Sequence, residues 1–558
     1  MIPMKKILLL IALLGFSYGK EYLLKGNLPP YLEIFVKKKV SEDVYLLDIP
    51  QDNGILNTLT FNKDFILEEN SVLKALAIPN DTCYTLRWDL KSIDAERAWD
   101  ITTGSHEVYV ALFDTGVDYN NPDLKENLWK NPNEVCYDGI DNDGNGYVDD
   151  CYGVNVLCYP EGGYNPNAEG CNAPDALDDD GHGTHVAGII GALGNNGLLI
   201  PGVSWTVKII PCKFLSSGGL GDVAGEIACF EYIKTLINKK GLRIVAVNAS
   251  YGGEYPFSQI QYDTIKSFNG LYITAAGNEG KNNDTINFYP CNYNLENKIC
   301  VGAYNRSGYP AYFSHYGYRT VDIFAPGEDI ASLYIGRYED TCETSLALAS
   351  GTSMAAPFVT GAVALLFSKN PNISFIEAKN EILLTGKNSP IYDGKSYTCN
   401  TLSLYNLLIG ESSQKACIST SEINFGSVDV GNEKVLQVTV RSTGKKQLKT
   451  LNVYTQGEGF YVKDENCTNT LLSPFEECKI YVAFKPTSGK DFSGLLYVNF
   501  ENETRTISLF GQGVSISTLN SEEGNGGCNS SSHEFVWITV VLFLFFHLIR
   551  ELPYFKFR

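Results

Sequence analysis

The stretch that most limits what this chain can become is Ala349-Ser350-Gly351-Thr352-Ser353-Met354-Ala355-Ala356-Pro357, followed without a break by Phe358-Val359-Thr360-Gly361-Ala362-Val363-Ala364-Leu365-Leu366-Phe367. Gly351 frees the backbone, and the run behind it has almost no polar face, which predicts a helix buried on all sides. Such a helix needs a large core around it. Ser353 stands at its N-terminus, where the helix dipole favours any negative charge that forms. Taken alone, Gly-Thr-Ser is also an ordinary helix-capping sequence.

Two upstream stretches add to it. Val108-Tyr109-Val110-Ala111-Leu112-Phe113-Asp114-Thr115-Gly116-Val117-Asp118 reads as an apolar strand that ends in an acid and a glycine turn. Asp180-Gly181-His182-Gly183-Thr184-His185-Val186-Ala187-Gly188 opens a second apolar helix with a glycine-flanked histidine. A carboxylate at a strand end can orient an imidazole, and an imidazole can take a proton from a hydroxyl. In this order the three blocks resemble the signatures of the subtilisin-like serine proteases, the subtilase family, whose chain order is also Asp, His, Ser.

The resemblance implies a serine endopeptidase acting on proteins or peptides, with Asp114, His182 and Ser353 as its triad. Thr274-Ala275-Ala276-Gly277-Asn278 resembles the family block that carries an asparagine for the oxyanion, so Asn278 and the backbone N–H of Ser353 are expected to share that task. Asn248-Ala249-Ser250-Tyr251-Gly252-Gly253 resembles the family's substrate strand. Ser250, Tyr251 and Gly252, with Ala275, Ala276 and Gly277, would then line the slot for the residue before the cut, the substrate pairing as an added strand. His185 is expected to be a satisfied core histidine and not a metal ligand. Two rivals stand beside this reading: an inert surface binding protein on a protease scaffold, and a processing protease with one dedicated substrate.

At 558 residues the chain exceeds a single core. Met4-Lys5-Lys6, the apolar Ile7 to Phe16 and Ser17-Tyr18-Gly19 read as a secretory signal over residues 1–19. Residues 20–80 alternate short β-like runs, such as Tyr31 to Val36 and Val44 to Ile49, and by position resemble a small α+β propeptide that aids folding and inhibits a zymogen, with an N-terminal accessory domain as the alternative. Residues 81–410 alternate apolar strands with helical patterns, which implies an α/β unit, a parallel sheet wrapped by helices. It would close at Leu402 to Leu408, which resembles the family's closing helix. A polar linker is expected at 411–416. The β runs of 417–516, about seven, suggest an all-β sandwich resembling immunoglobulin-like modules of secreted bacterial proteins. A Gly/Ser/Asn-rich linker with Cys528 spans 517–534.

Residues 535–558 hold an apolar run of about fifteen residues, roughly 22 Å as a helix against a bilayer core of about 30 Å. Basic Arg550, Lys556 and Arg558 follow it. The segment resembles a bacterial C-terminal sorting tail, with a permanent membrane helix as the plainer alternative. The protein is thus expected outside the cytoplasm, secreted or held at the surface or membrane through this tail, and monomeric.

Acidic residues outnumber basic ones 64 to 44, a net charge of −20, which argues against a nucleic-acid partner and favours cations. Asp141, Asp143, Asn145, the Tyr147 carbonyl and Asp149 match the start of a calcium loop, although Tyr152 stands where such a loop has its closing glutamate. A solvated acidic turn is the alternative. By family resemblance alone, Asp123 with Asn195 or Asn196 forms a second calcium site. Of fifteen cysteines, fourteen precede the tail. Proximity pairs Cys136 with Cys151, Cys158 with Cys171, Cys291 with Cys300 and Cys467 with Cys478, an oxidised set suited to an exported protein.

Overall fold

The computed structural model describes residues 20–49, 65–70, 78–160, 163–338 and 341–515. The expected signal segment, the linker with Cys528 and the C-terminal tail lie outside the described residues. Strands β1 (Lys20–Gly26), β2 (Val36–Lys39), β3 (Val44–Ile49) and β4 (Phe65–Glu69) form an antiparallel sheet in the order β2-β3-β1-β4. The β run expected from Tyr31 is instead a turn and a short 3-10 helix at Glu33–Phe35. Pro29 and Pro30 start that turn, and the Leu32 N–H bonds back to the Pro29 carbonyl. No α-helix occurs among the described residues of this region.

The α/β half is built on β5 (Gly104–Asp114), reached through the short helices α1 (Trp88–Ser92) and α2 (Ala95–Trp99). Along β5, Val108, Val110 and Leu112 enter one core while Ala111 and Phe113 enter another. A strand apolar on both faces must be covered on both, which accounts for its unbroken hydrophobic run. Its sheet also contains β6 (Val154–Asn155), β7 (Thr206–Lys213), β8 (Ile244–Ala249), β10 (Leu271–Ala275), β12 (Lys298–Tyr304), β13 (Ile323–Pro326), β16 (Lys387–Asn388) and β17 (Asn400–Thr401). The order is β16-β17-β13-β12-β10-β8-β5-β7-β6, parallel throughout except for the β16–β17 pair. Two small ribbons accompany it: β9 (Gly253–Glu254) with β11 (Phe288–Tyr289), and β14 (Ile330–Leu333) with β15 (Leu346–Ala349).

One face carries helix α3 (His182–Gly191) and, past a one-turn α6 (Cys342–Ser345), the long α7 (Thr352–Lys369). The other carries α4 (Val223–Lys240) and α5 (Gln259–Ser267). Helix α7 is apolar enough to cross a membrane by composition, yet 83% of its most apolar window is buried inside the protein, as its all-round hydrophobicity predicts. Helices α8 (Phe375–Thr385) and α9 (Leu404–Ile409) complete this half, α9 falling where the closing helix was expected.

The C-terminal strands β18 (Ala416–Ile418), β19 (Glu422–Asp429), β20 (Lys434–Ser442), β21 (Leu448–Gln456), β22 (Phe460–Glu465), β23 (Leu471–Leu472), β24 (Glu477–Phe484), β25 (Asp491–Phe500) and β26 (Thr504–Val514) form two sheets, β18-β20-β24-β22 and β19-β26-β25-β21-β23. Alternate residues such as Leu496, Val498, Ile507 and Leu509 fill the core between them. Nine strands appear where about seven were expected, the extra ones being the short β18 and β23.

All four expected disulfides are present, together with Cys83–Cys342, Cys212–Cys229 and Cys399–Cys417. The last joins the two halves at a tightly bonded junction. Arg505 of β26 pairs with Asp393 at 3.2 Å and donates to Asn388 Oδ1 at 2.8 Å, with both charged side chains buried. The Arg441 guanidinium lies over Tyr397 and Tyr318 at 3.8 and 4.2 Å and donates to the Tyr397 carbonyl at 2.6 Å. Lys415, in the stretch read as a linker, is itself buried and donates to the Leu384 carbonyl. Arg505→Ala leaves Asp393 as an unpaired buried carboxylate, which should cost about 3 kcal/mol. A lowered midpoint of thermal unfolding checks this, and an unchanged midpoint contradicts it.

Candidate active site

Asp114 closes β5, Ser250 directly follows β8, and Asn278 follows β10 by three residues. These neighbouring parallel strands deliver the three residues to one edge, the C-terminal edge where open α/β sheets build their sites. His182 and Ser353 arrive from the first turns of α3 and α7, two helices that pack together on the same face.

His182 Nδ1 lies 2.7 Å from Asp114 Oδ1, with the carboxylate fully buried and the imidazole side chain 28% exposed. The same oxygen accepts the Thr115 N–H at 2.8 Å. Burial by itself would push the imidazolium down. The adjacent Asp114 charge, its hydrogen bond, and Asp180 and Asp178 outweigh this and hold His182 above the ordinary histidine value. The approach of helix to strand is close: a Cβ on Gly183 would sit 2.0 Å from the Gly116 carbonyl oxygen. Asp178 ties the two segments, accepting from Thr115 Oγ1 at 2.9 Å and from the Gly181 and Thr184 N–H groups at 3.0 Å.

Ser353 is held through its own carbonyl. Pro357 has no N–H, so the carbonyl four residues back, that of Ser353, receives no helical donor. Ser250 Oγ supplies one at 2.8 Å. In return Ser353 Oγ donates to the Ser250 carbonyl at 2.9 Å. The link continues from Asn248 Nδ2 to Ser250 Oγ and from Thr360 Oγ1 to Asn248 Oδ1, at 2.9 and 2.8 Å. The strand end at Ser250 is thereby bonded to helix α7 at two points. No hydrogen bond joins Ser353 to His182 among the described residues; rotation about Cα–Cβ is what would carry Oγ from the Ser250 carbonyl towards the imidazole.

Asn278 is fixed by its amide oxygen, which accepts from Thr352 N at 2.8 Å and from Thr352 Oγ1 at 2.9 Å. Gly277 N donates to the same hydroxyl at 3.0 Å. With the oxygen engaged, Nδ2 is the end left to donate, and it flanks the start of α7, 3.4 Å from where a Gly351 Cβ would be. Thr352 was not singled out in the sequence, where it read only as a cap; its position between two named residues was the available signal. Tyr251, Gly252, Ala275 and Ala276 lie on the two segments that leave β8 and β10 side by side.

His185 is buried, its Nε2 3.1 Å from the carbonyl oxygens of Ile330 and Ala347. Burial lowers its pKa to about 3, so it is a neutral core donor through Nε2, but its Nδ1 is buried without a partner, so the ring is less fully satisfied than expected.

The acidic loop gathers differently from its sequence reading. Ligand oxygens of Asp141, Asp143 and Glu134 come within 4.8 Å of one another, and Asp149 is not among them. Asp149 accepts instead from the N–H groups of Asp138 and Gly139, at 3.1 and 3.0 Å. Asn145 donates to Asp150 Oδ2 and takes the Tyr147 N–H on its own oxygen. Glu134, seven residues ahead of the loop, supplies the acid that Tyr152 could not, and its Oε2 is buried without a donor. The Lys240 ammonium pairs with Asp143 and already neutralises part of this cluster. Asp123 belongs to a separate site. Its oxygens accept from Asn196 Nδ2 and Ile200 N, at 2.7 and 3.0 Å, and burial raises its pKa to about 7, with the charge of Asp81 adding to the shift. Asp81 accepts the Asn195 N–H at 2.7 Å, while its Oδ1 is buried and unbonded. Two buried carboxylates whose charges act on each other, one with an orphaned oxygen, are a donor set that fits a hard divalent cation.

The chain is similar to known proteins over both halves. The profile of the family described as "Subtilase family" matches residues 105–399, and that of an Ig-like domain of the HYDIN/CFA65/VesB-like type matches 417–512. Subtilisin-like protease 1 of Plasmodium berghei is 30% identical over 346 residues, covering 57% of this chain and 52% of that one. The thermophilic serine proteinase of Bacillus sp. (strain AK1) is 33% identical over 312 residues, covering 55% and 63%. The cell wall-associated protease of Bacillus subtilis is 29% identical over 375 residues, covering 62% and 36%. The chain thus spans about half the length of these relatives. Among solved structures, a protease from Pseudoalteromonas arctica superposes with a TM-score of 0.45 at 24% identity, covering 59% of this chain and 98% of that one. Since the family profile spans more than half of the chain, this protein belongs to the subtilase family.

Proposed function

We propose that the protein is a serine endopeptidase that hydrolyses peptide bonds of protein substrates through Asp114, His182, Ser353 and Asn278. The observation that carries this reading is the 2.7 Å hydrogen bond between His182 Nδ1 and the buried Asp114. With its Nδ1 proton committed to the carboxylate, the imidazole offers Nε2 as the base. Nε2 takes the Ser353 proton as Oγ attacks the peptide carbonyl and returns it to the leaving amine, while Asp114 stabilises the imidazolium that exists in between. The oxyanion is met by Asn278 Nδ2 and the Ser353 N–H, one of the first-turn donors that an α-helix leaves without a partner. Ser250 to Gly252 and Ala275 to Gly277 flank the scissile residue. An inert scaffold has no use for an amide whose oxygen is engaged so that its donor end faces the same helix start.

Seven disulfides favour an oxidising compartment, and relatives that include a cell wall-associated protease point the same way, so the α/β half is assigned outside the cytoplasm. Secretion or anchoring through the C-terminal tail, and maturation from a propeptide, belong to the same proposal. Calcium is assigned to Asp81 and Asp123, where it would neutralise both carboxylates and brace the loop of Asn195 to Ile200. Asp141, Asp143 and Glu134 are the second candidate.

Four outcomes test this. Ser353→Ala should lower cleavage of casein by more than about 10³-fold, and retained cleavage refutes the mechanism. Asn278→Leu should lower kcat by about 10²–10³ with little change in KM, a magnitude that itself comes from a subtilisin; Thr352→Val, which frees the amide to turn, should lower kcat by about tenfold. Chelation with EDTA should lower the unfolding midpoint by about 3 °C or more, restored by calcium in the parent chain but not in Asp123→Asn.

A further inference from the structure

On the α/β half, with Phe475 of the sandwich at its rim, lies a cleft of about 1150 Å3 whose lining has no part in the chemistry above. Its walls come from the end of α5, the loop of residues 292–298, helix α8 and, from the sandwich, Phe475. Phe475 packs on Tyr397, with ring centres 5.8 Å apart, and Tyr397 is one of the two rings that hold Arg441. The docked sandwich therefore completes the cleft.

Its charge runs against that of the molecule. Lys266, Lys298, Arg319 and Lys379 line it with only Glu296 and Asp322 opposing them, on a chain whose net charge is −20. The Lys298–Asp322 pair, at 3.1 Å, cancels internally, which leaves three cations facing one carboxylate. Arg319 is 75% exposed with its nearest acid, Asp284, 4.0 Å away. Lys379 is the most telling. Its one hydrogen bond is a long one, 3.3 Å to the Leu295 carbonyl, and burial holds its ammonium below the usual lysine range. Asp322 and Glu296 act on it only at a distance, and Asp322 is already paired with Lys298, so this partly buried cation makes no close ion pair among the described residues, a cost that an incoming carboxylate would relieve. The same cleft is lined by Asn292, whose Oδ1 is buried and receives no donor.

We propose that this cleft binds an acidic peptide segment. Carboxylates answer Lys379, Lys266 and Arg319, and the Tyr262, Tyr397 and Phe475 rings receive the apolar parts. A lone inorganic anion leaves the aromatic rings uncovered, and the volume exceeds what one ion needs. At physiological ionic strength charges beyond about 8 Å are screened, so the local cations and not the overall negative charge decide what binds. Lys298 begins β12, whereas Asp114 and Asn278 lie at the opposite ends of the strands. Seven residues of strand separate the two edges by roughly 20 Å, so a peptide here leaves the catalytic cleft open.

The test uses the full-length Ser353→Ala chain, so that the probe is not cut, and fluorescence anisotropy of a fluorescein-labelled hexaglutamate peptide. Because the readout is binding, loss of protease activity in any variant does not bear on it. Saturable binding is expected, weakened about tenfold or more by Lys266→Glu with Lys379→Glu, absent with hexalysine, and resistant to inorganic phosphate at constant ionic strength. Absence of saturable binding, equal affinity in the double variant, or full displacement by phosphate overturns the proposal. Should Lys379→Glu fail to fold, the exposed pair Lys266→Glu and Arg319→Glu gives the same decision.

Discussion

The hydrogen bond from His182 to Asp114 joins residues 68 positions apart, and much of the α/β half is arranged so that it can form. The parallel sheet brings Asp114 to the edge, a glycine lets α3 approach the strand end, and Asp178 laces the two segments together. The carboxylate is wholly buried, and a charge in that position persists only when it is well paired. His182 is its partner, and in return the imidazole gains a fixed tautomer and a raised affinity for the proton it must carry. Structure and chemistry thus draw on one contact.

The nucleophile side follows a different logic. Pro357 costs helix α7 one internal hydrogen bond, and the carbonyl it releases becomes the anchor by which Ser250, and through it the strand end, is tied to Ser353. A residue that looks like a helix breaker in the sequence is what links the strand end at Ser250 to the serine. Thr352 performs the corresponding task for Asn278, fixing the direction of its amide. At the far edge of the same sheet, Cys399–Cys417, Arg505 and Arg441 join the sandwich to the α/β half through buried contacts, which holds Phe475 at the rim of the cleft.

The parts legible in the sequence were those whose chemistry requires local neighbours. A strand ending in Asp-Thr-Gly, a helix opening with Gly-His-Gly, and Gly-Thr-Ser before an apolar run each carry their own geometry. What escaped depended on residues distant in the chain. Glu134 joins Asp141 and Asp143 because a loop folds back, and Asp149, whose spacing matched a calcium loop, is drawn off by two N–H groups. The charge of Asp81 acts on Asp123 across 42 positions, and nothing beside either residue announces the other. The run from Tyr31 looked like a strand because hydrophobic alternation is shared with turns, and the two prolines before it decided the matter.

The central claim is that the buried Asp114 charge and His182 form one proton-handling unit. Its most direct measurement is the titration of His182 by nuclear magnetic resonance, with 15N-labelled histidine in the full-length chain and assignment through His182→Gln. The account predicts a pKa for His182 above the ordinary histidine value of about 6.5, falling back when Asp114 is replaced by asparagine. A His182 that titrates at or below that value with Asp114 intact, or that ignores the replacement, would contradict it.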